Sequence, residues 1–133
     1  MPKKVINSNK IVRSFRKSTA HGTVARGLVF VTGQVPNKRR MDPRKGKQYE
    51  MGGIEEQTIQ VMENVKAILK AAGTDLNHVL KRNVYITHAG DFDAVYTILD
   101  RYFPSGVAST GVITGLVPTS ARVEIDVIAT LPD

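Results

Sequence analysis

The sequence predicts an α+β protein with a single domain over residues 1–133, in which two helices pack on one face of a mixed β-sheet. Strand-like and helix-like segments alternate along the chain, so that each helix falls between strands. Right-handed crossovers then place both helices on the same side of one sheet. The last strand alternates apolar and charged residues, as a strand does when only one of its faces lies against a core.

The length and composition fit this class. A chain of 133 residues removes roughly two-thirds of its unfolded surface from water on folding, which is enough for one core. There is no cysteine, so disulfides and thiolate metal sites are excluded. No apolar run approaches the length of a signal-peptide core or of a membrane span. We therefore expect a soluble, cytoplasmic protein.

The positive charge is concentrated in the first third of the chain. Residues 1–48 contain 13 of the 19 Lys and Arg residues and a single acid, Asp42, whereas residues 49–133 carry a net charge of −5. The densest stretch, 38–47, is most simply a solvated loop. It could also attract anionic substrates or bind a phosphate backbone weakly. Tyr49 is its one nearby aromatic residue, which gives little support to a stacking site for nucleic acid.

The clearest strand is Leu28–Val31, which leads into Thr32-Gly33-Gln34. Its apolar run is continuous, and this pattern indicates burial on both faces. The helices of the same chain can cover one face. In so short a chain the other face needs a second subunit, so the run predicts an oligomer. A turn-rich loop follows at 36–53.

Two helices are predicted. The first begins at Ile54 and places one stripe of residues on a single face before Gly73, a natural residue to follow a helix end; the stripe consists of Ile54, Thr58, Val61, Met62, Val65, Ile68, Leu69 and Ala72. The second spans 92–103, with Asp91 as its predicted N-cap and Pro104 after its end.

The remaining strands are predicted at 79–87, 107–114 and 122–130. The last strand should direct its apolar residues toward the helices; these are Val123, Ile125 and Val127. Its charged residues should face the opposite side, where a subunit contact or a cleft would lie; these are Arg122, Glu124 and Asp126.

Four segments of the chain together resemble the Rid family, the YjgF-like reactive-intermediate deaminases. They are LVFVTGQVP at 28–36, ENVKAILKAAG at 63–73, VYIT followed by DF at 84–92, and VEIDVIA at 123–129. The resemblance implies a chorismate-mutase-like fold and a homotrimer with clefts between subunits. It also implies hydrolysis of small enamines and imines, such as 2-aminoacrylate, to 2-keto acids and ammonia without a metal or organic cofactor.

The resemblance also marks a departure from the family pattern. In active members an arginine binds the substrate carboxylate, and the matching position here is Ser109. Residues 102–121 contain neither Arg nor Lys. Losing such a bidentate contact costs on the order of 2–4 kcal/mol. We therefore expect little hydrolysis of 2-iminopropanoate, unless Arg26, Arg101 or Arg122 of an adjacent subunit supplies the charge.

Glu124 matches the family glutamate that positions the hydrolytic water, and we predict that it is the catalytic residue. A structural ion pair with Arg122, or with a base of a neighbouring subunit, is the alternative role. Thr32 and Gly33 match residues that line the family's pocket.

Further substrate-binding candidates are Ser109, Thr110, Thr19 and His21. The first two would line the pocket, and Thr19 falls near a position where the family often has a tyrosine. His21 lies close enough to the expected cleft to serve as a base, although a structural histidine is the commoner case. The three histidines have no spacing that predicts a metal site.

Three functions remain open at this point. The first is a divergent deaminase acting on a small enamine, imine or related unsaturated amino compound. The second is a trimer that binds a small molecule without turning it over. The third is RNA binding or cleavage, which the basic first third of the chain would support.

Overall fold

The computed structural model describes residues 2–14, 16–37, 52–118 and 120–133. Its elements are β1 (Lys4–Ile6), β2 (Gly22–Ala25), β3 (Leu28–Gln34), α1 (Ile54–Ala72), β4 (Val79–Ile86), α2 (Phe92–Tyr102), β5 (Ala108–Ile113) and β6 (Val123–Thr130). The six strands form one sheet in the order β1-β2-β3-β6-β4-β5. Short 3-10 turns at Leu76–His78 and Ala89–Asp91 precede β4 and α2.

The sheet is mixed, as the sequence predicts. Strands β4 and β5 are parallel and are connected through α2, whereas every other neighbouring pair is antiparallel. The connection from β2 to β3 is a two-residue turn in which Arg26 and Gly27 both have positive φ, at 51° and 76°. Two positive φ values in succession suit the right-handed twist of a hairpin.

Helix α1 has the predicted limits. Gly73 adopts the left-handed conformation at φ 89°, and its N–H bonds back to the carbonyls of Leu69 and Lys70. Glycine tolerates this conformation without a Cβ clash, which explains why the helix ends there. The predicted stripe is buried apart from Ala72, which is half-buried.

The core lies between the two helices and one face of the sheet, as predicted. Its members come from α1, α2 and the central strands, and the fully enclosed ones include Met62, Leu69, Leu99, Val84 and Ile125. Burying one such side chain contributes roughly 1.5–3 kcal/mol. We call this side of the sheet the helix face and the other side the open face.

Asp91 is the N-cap residue of α2, as predicted, but its side chain makes no capping hydrogen bond. Its carboxylate is bound instead by Arg122, with Nη2–Oδ1 at 2.6 Å and Nε–Oδ2 at 3.0 Å. A charged, two-point partner competes successfully with a single backbone N–H.

Strand β3 alternates within the protomer. Val29 and Val31 are buried on the helix face, whereas Phe30 is 43% exposed on the open face. The second cover that the apolar run predicts is therefore not provided by the described part of the chain. No helix in that part is long and apolar enough to cross a membrane.

Candidate functional site

The residues predicted to form one site lie on two faces of the sheet. Glu124 alternates with Val123 and Ile125, which are in the core, so its side chain points to the open face. Ser109 points to the helix face, because its hydroxyl bonds to Arg82 and Arg82 lies against α2. The backbone of the sheet thus separates Glu124 from Ser109 within one protomer.

On the open face, Glu124 lies directly against Gly33. A Cβ added at Gly33 would stand 2.5 Å from Oε2 of Glu124, so the carboxylate can approach this backbone only because residue 33 has no side chain. Burial raises the pKa of the Glu124 carboxyl above its ordinary value, and the nearby Asp126 carboxylate raises this pKa further. A half-buried carboxyl with a raised pKa holds its proton to a higher pH than an exposed glutamate does, which is typical of groups that transfer protons in active sites.

An irregularity in β3 positions Gly33. The pairing of β3 with β6 shifts between Val31 and Gln34, so Thr32 and Gly33 fall within a bulge. Bulges re-aim the chain where a strand borders a site. The Thr32 hydroxyl donates to the carbonyl of Ala20 at 2.5 Å, and the Thr32 N–H donates to the carbonyl of His21 at 2.9 Å. The bulge is thereby fixed to the segment before β2.

His21 is buried, and both of its ring nitrogens have partners. Nδ1 accepts from the N–H of Ser8 at 3.0 Å, and Nε2 lies 2.9 Å from the carbonyl of Val12. Only the tautomer protonated at Nε2 satisfies both bonds. His21 therefore connects the N-terminal segment to the sheet, and in this arrangement neither nitrogen is free to act as a base. Thr19 is half-buried in the preceding turn, where its N–H donates to Arg16.

Thr110 lies on the open face, on the opposite side of the sheet from its neighbour Ser109. Its hydroxyl accepts a hydrogen bond from Lys81 at 2.5 Å. Asn83 donates to Asp126 at 2.8 Å on the same face. Burial and the Asp126 carboxylate raise the pKa of Tyr85, which pairs with Glu124 across the strands. These polar side chains of β4 that lie beside Glu124, Asn83 and Tyr85, were not predicted from the sequence.

Arg82 is the charged residue that the sequence analysis missed on the helix face. It is 7% exposed, and its Nε donates to the Ser109 hydroxyl at 2.9 Å. Its guanidinium lies 5.3 Å from the ring centre of Tyr96 and 5.0 Å from that of Phe103. The signal was present in the sequence, because Arg82 has the same parity along β4 as the buried residues Val84 and Ile86.

The three arginines that the sequence analysis considered as replacements for the family arginine lie away from Ser109 in the protomer. Arg122 is bound to Asp91, so an ion pair of Glu124 with Arg122 of the same chain is excluded. Arg101 is exposed on α2 and Arg26 is exposed in the β2–β3 turn. The basic stretch 38–47 lies outside the described residues. Within those residues no cluster of acidic side chains and histidines could hold a metal ion.

The fold and the site define the class of protein: a small α+β domain with a half-buried carboxyl, that of Glu124, on the open face of its sheet and a buried guanidinium, that of Arg82, on the helix face. The sequence profile of the family described as Endoribonuclease L-PSP matches residues 15–131. The chain belongs to this family, which is the YjgF-like Rid family that the four sequence segments resemble.

Individual relatives agree with this assignment. A RutC family protein of Pyrococcus horikoshii is 39% identical over 106 residues, which cover 79% of this chain and 80% of that protein. The human 2-iminobutanoate/2-iminopropanoate deaminase is 34% identical over 102 residues, which cover 76% of this chain and 71% of the human one. The structure of Escherichia coli TdcF with bound serine superposes with a TM-score of 0.80 at 25% identity, covering 97% of this chain and 99% of that one.

Proposed function

We propose that this protein is a hydrolytic deaminase that acts on a small imine or enamine in a cleft between subunits of a cytoplasmic homotrimer. Membership of the family and the relatives named as deaminases support the reaction class. The single observation that carries the proposal is the position of the Glu124 carboxyl, which is half-buried, lies against the Gly33 backbone and has a raised pKa.

The chemistry requires one group that moves protons. Water adds to the imine carbon as one of its protons passes to the Glu124 carboxylate, and this proton is then delivered to the imine nitrogen, which becomes an amine. The carbinolamine hydroxyl next gives its proton to the Glu124 carboxylate, the amine nitrogen takes up a proton, and the C–N bond breaks as the C=O bond forms. The products are a carbonyl compound and ammonia, so one water is consumed and no electrons are gained or lost. A carboxyl with a raised pKa suits both proton transfers.

The trimer is supported by the open face. Three large apolar side chains are exposed there or at its margin: Phe30 at 43%, Leu80 at 51% and Val112 at 42%. Several such side chains on one face of a single chain favour an interaction with another subunit. Contact between two copies would also allow Glu124 of one copy to lie near Ser109 of another. Within one protomer the sheet separates these two residues.

RNA cleavage is the second candidate, because the description of the matching family names an endoribonuclease. We rank it lower because relatives that the chain covers to 71% or more of their length are named as deaminases.

The test is the hydrolysis of 2-iminopropanoate generated in the assay by an amino-acid oxidase. We expect the protein to accelerate keto-acid formation, but by less than a relative that has the family arginine, because Ser109 takes the place of that arginine. The Glu124→Gln variant should lose about 10²- to 10⁴-fold of this rate. Gly33→Ala should also lose activity, because its Cβ displaces the carboxylate. Glu55→Gln, an identical change at an exposed position of α1, is the matched control.

Two results would contradict the proposal. One is a wild-type rate equal to the uncatalysed rate; if 2-oxobutanoate still raised the melting temperature, this result would favour the non-catalytic binding trimer. The other is full activity of a folded Glu124→Gln variant.

A further inference from the structure

Arg82 carries a positive charge that has no ion-pair partner among the described residues, although the Asp100 carboxylate is close enough to favour its charged form. No carboxylate of residues 2–14, 16–37, 52–118 or 120–133 lies within salt-bridge distance of it. Burial lowers the pKa of its guanidinium, which is the effect of removing the charge from water. A buried charge without a hydrogen-bonded partner of opposite sign opposes folding, so an anion bound directly to the Arg82 guanidinium would be favoured.

The fork of this guanidinium remains open to a ligand. Among the described residues the Arg82 side chain makes one hydrogen bond, through Nε, so neither Nη atom has an acceptor there. Among the side-chain atoms described, only Oδ1 of Asn37 is fully buried without a partner. The two Nη atoms are therefore reached by solvent even though the residue is 7% exposed.

The surroundings hold the fork in one orientation. The rings of Tyr96 and Phe103 lie near the guanidinium, and Ser109 fixes its Nε. A Cβ at Gly111 would stand 2.6 Å from the Tyr96 hydroxyl, so the absence of a side chain there allows this hydroxyl to lie over β5. No described residue bonds to the Tyr96 hydroxyl, which provides a further donor beside the fork.

We propose that Arg82, held by Ser109 and by the Tyr96 and Phe103 rings, binds the carboxylate of the ligand and thereby selects imines that carry a carboxylate. A carboxylate matches the planar fork with two parallel hydrogen bonds. This inference rests on the proposed function for the identity of the reaction, but the binding it describes can be measured without turnover.

The experiment is calorimetric titration with 2-oxobutanoate and, as its uncharged counterpart, 2-butanone. The wild type should bind the first and not the second. Arg82→Gln should weaken binding of 2-oxobutanoate by about 30- to 1000-fold, and Arg82→Lys by less, because it keeps the charge and loses the fork. Ser109→Ala should weaken it by about 3- to 10-fold. Lys70→Gln removes one charge at an exposed position and should stay within about 2-fold of wild type.

The outcomes separate the two proposals. Binding that depends on Arg82 in a protein without imine hydrolysis would overturn the proposed function and support the carboxylate site. Hydrolysis with equal binding by wild type and a folded Arg82→Gln variant would overturn the carboxylate site alone. If Arg82→Gln does not fold, unchanged binding by both Arg82→Lys and Ser109→Ala overturns it. If the wild type binds no 2-oxobutanoate and Arg82→Gln lowers the oligomeric state, the anion belongs to a neighbouring copy, and the proposal is also wrong.

Discussion

Glu124 and Arg82 are both partly removed from water, and neither is paired with an opposite charge in the described chain. Glu124 has a second carboxylate, Asp126, nearby, and Arg82 lies between two aromatic rings. Burial and the Asp126 carboxylate oppose the charged form of Glu124, and burial opposes the charged form of Arg82, although the aromatic rings and Asp100 favour the latter. Both residues are proposed to interact with the ligand, and the raised pKa of Glu124 also affects the pH dependence of folding.

The raised pKa of Glu124 predicts that its charge destabilises the fold. The unfolded chain loses this proton near pH 4.5, the ordinary pKa of a glutamate, whereas the folded protein retains it to a higher pH. The penalty is absent below the unfolded pKa, grows as the pH rises and is complete above the folded pKa. Glu124→Gln should therefore be more stable relative to wild type at pH 8 than at pH 4. Urea unfolding of both proteins at the two pH values measures this, and a difference independent of pH would count against it.

At the scale of elements, the repeating patterns were predictable and the local exceptions were not. The limits of α1 follow from its 3.6-residue stripe and from Gly73, and the orientation of β6 follows from its period of two. The bulge around Gly33 depends on pairing with a strand about 90 residues later, which no local pattern encodes. Similarly, Asp91 is a good N-cap by type, and its use by Arg122 depends on a distant neighbour.

His21 illustrates a tertiary role that the sequence could not distinguish from a catalytic one. His21→Ala removes two hydrogen bonds that hold the N-terminal segment to the sheet. We expect the free energy of unfolding to fall by about 1–3 kcal/mol and amide exchange at Ser8 to accelerate. His78→Ala is the control, because that ring bonds to an exposed aspartate and should contribute less than about 1 kcal/mol. Equal losses in the two variants would argue against the structural role of His21.

At the scale of the whole molecule, the sheet separates the two proposed halves of the site, so they cannot meet within one protomer. The Glu124 half lies on the open face with Gly33, and the Arg82 half lies on the helix face with Ser109. One ligand can contact both halves only where the open face of one copy meets the edge of another copy at β5, where Ser109 and Arg82 lie. The exposed edge strand β5, which pairs with β4 alone, permits such a meeting.

This division predicts complementation between two inactive variants. Arg82→Gln and Glu124→Gln subunits should each form trimers with little activity, since every cleft lacks one half. The two variants are then unfolded together and refolded at equal concentrations. A cleft is intact when its Arg82 comes from a Glu124→Gln subunit and its Glu124 comes from an Arg82→Gln subunit. Random assembly in a cyclic trimer gives this arrangement in about a quarter of the clefts. We therefore expect the mixture to show about a quarter of the wild-type rate. If both halves acted within one protomer, mixing would restore no activity. Light scattering measures the mass of each preparation and verifies that trimers have formed.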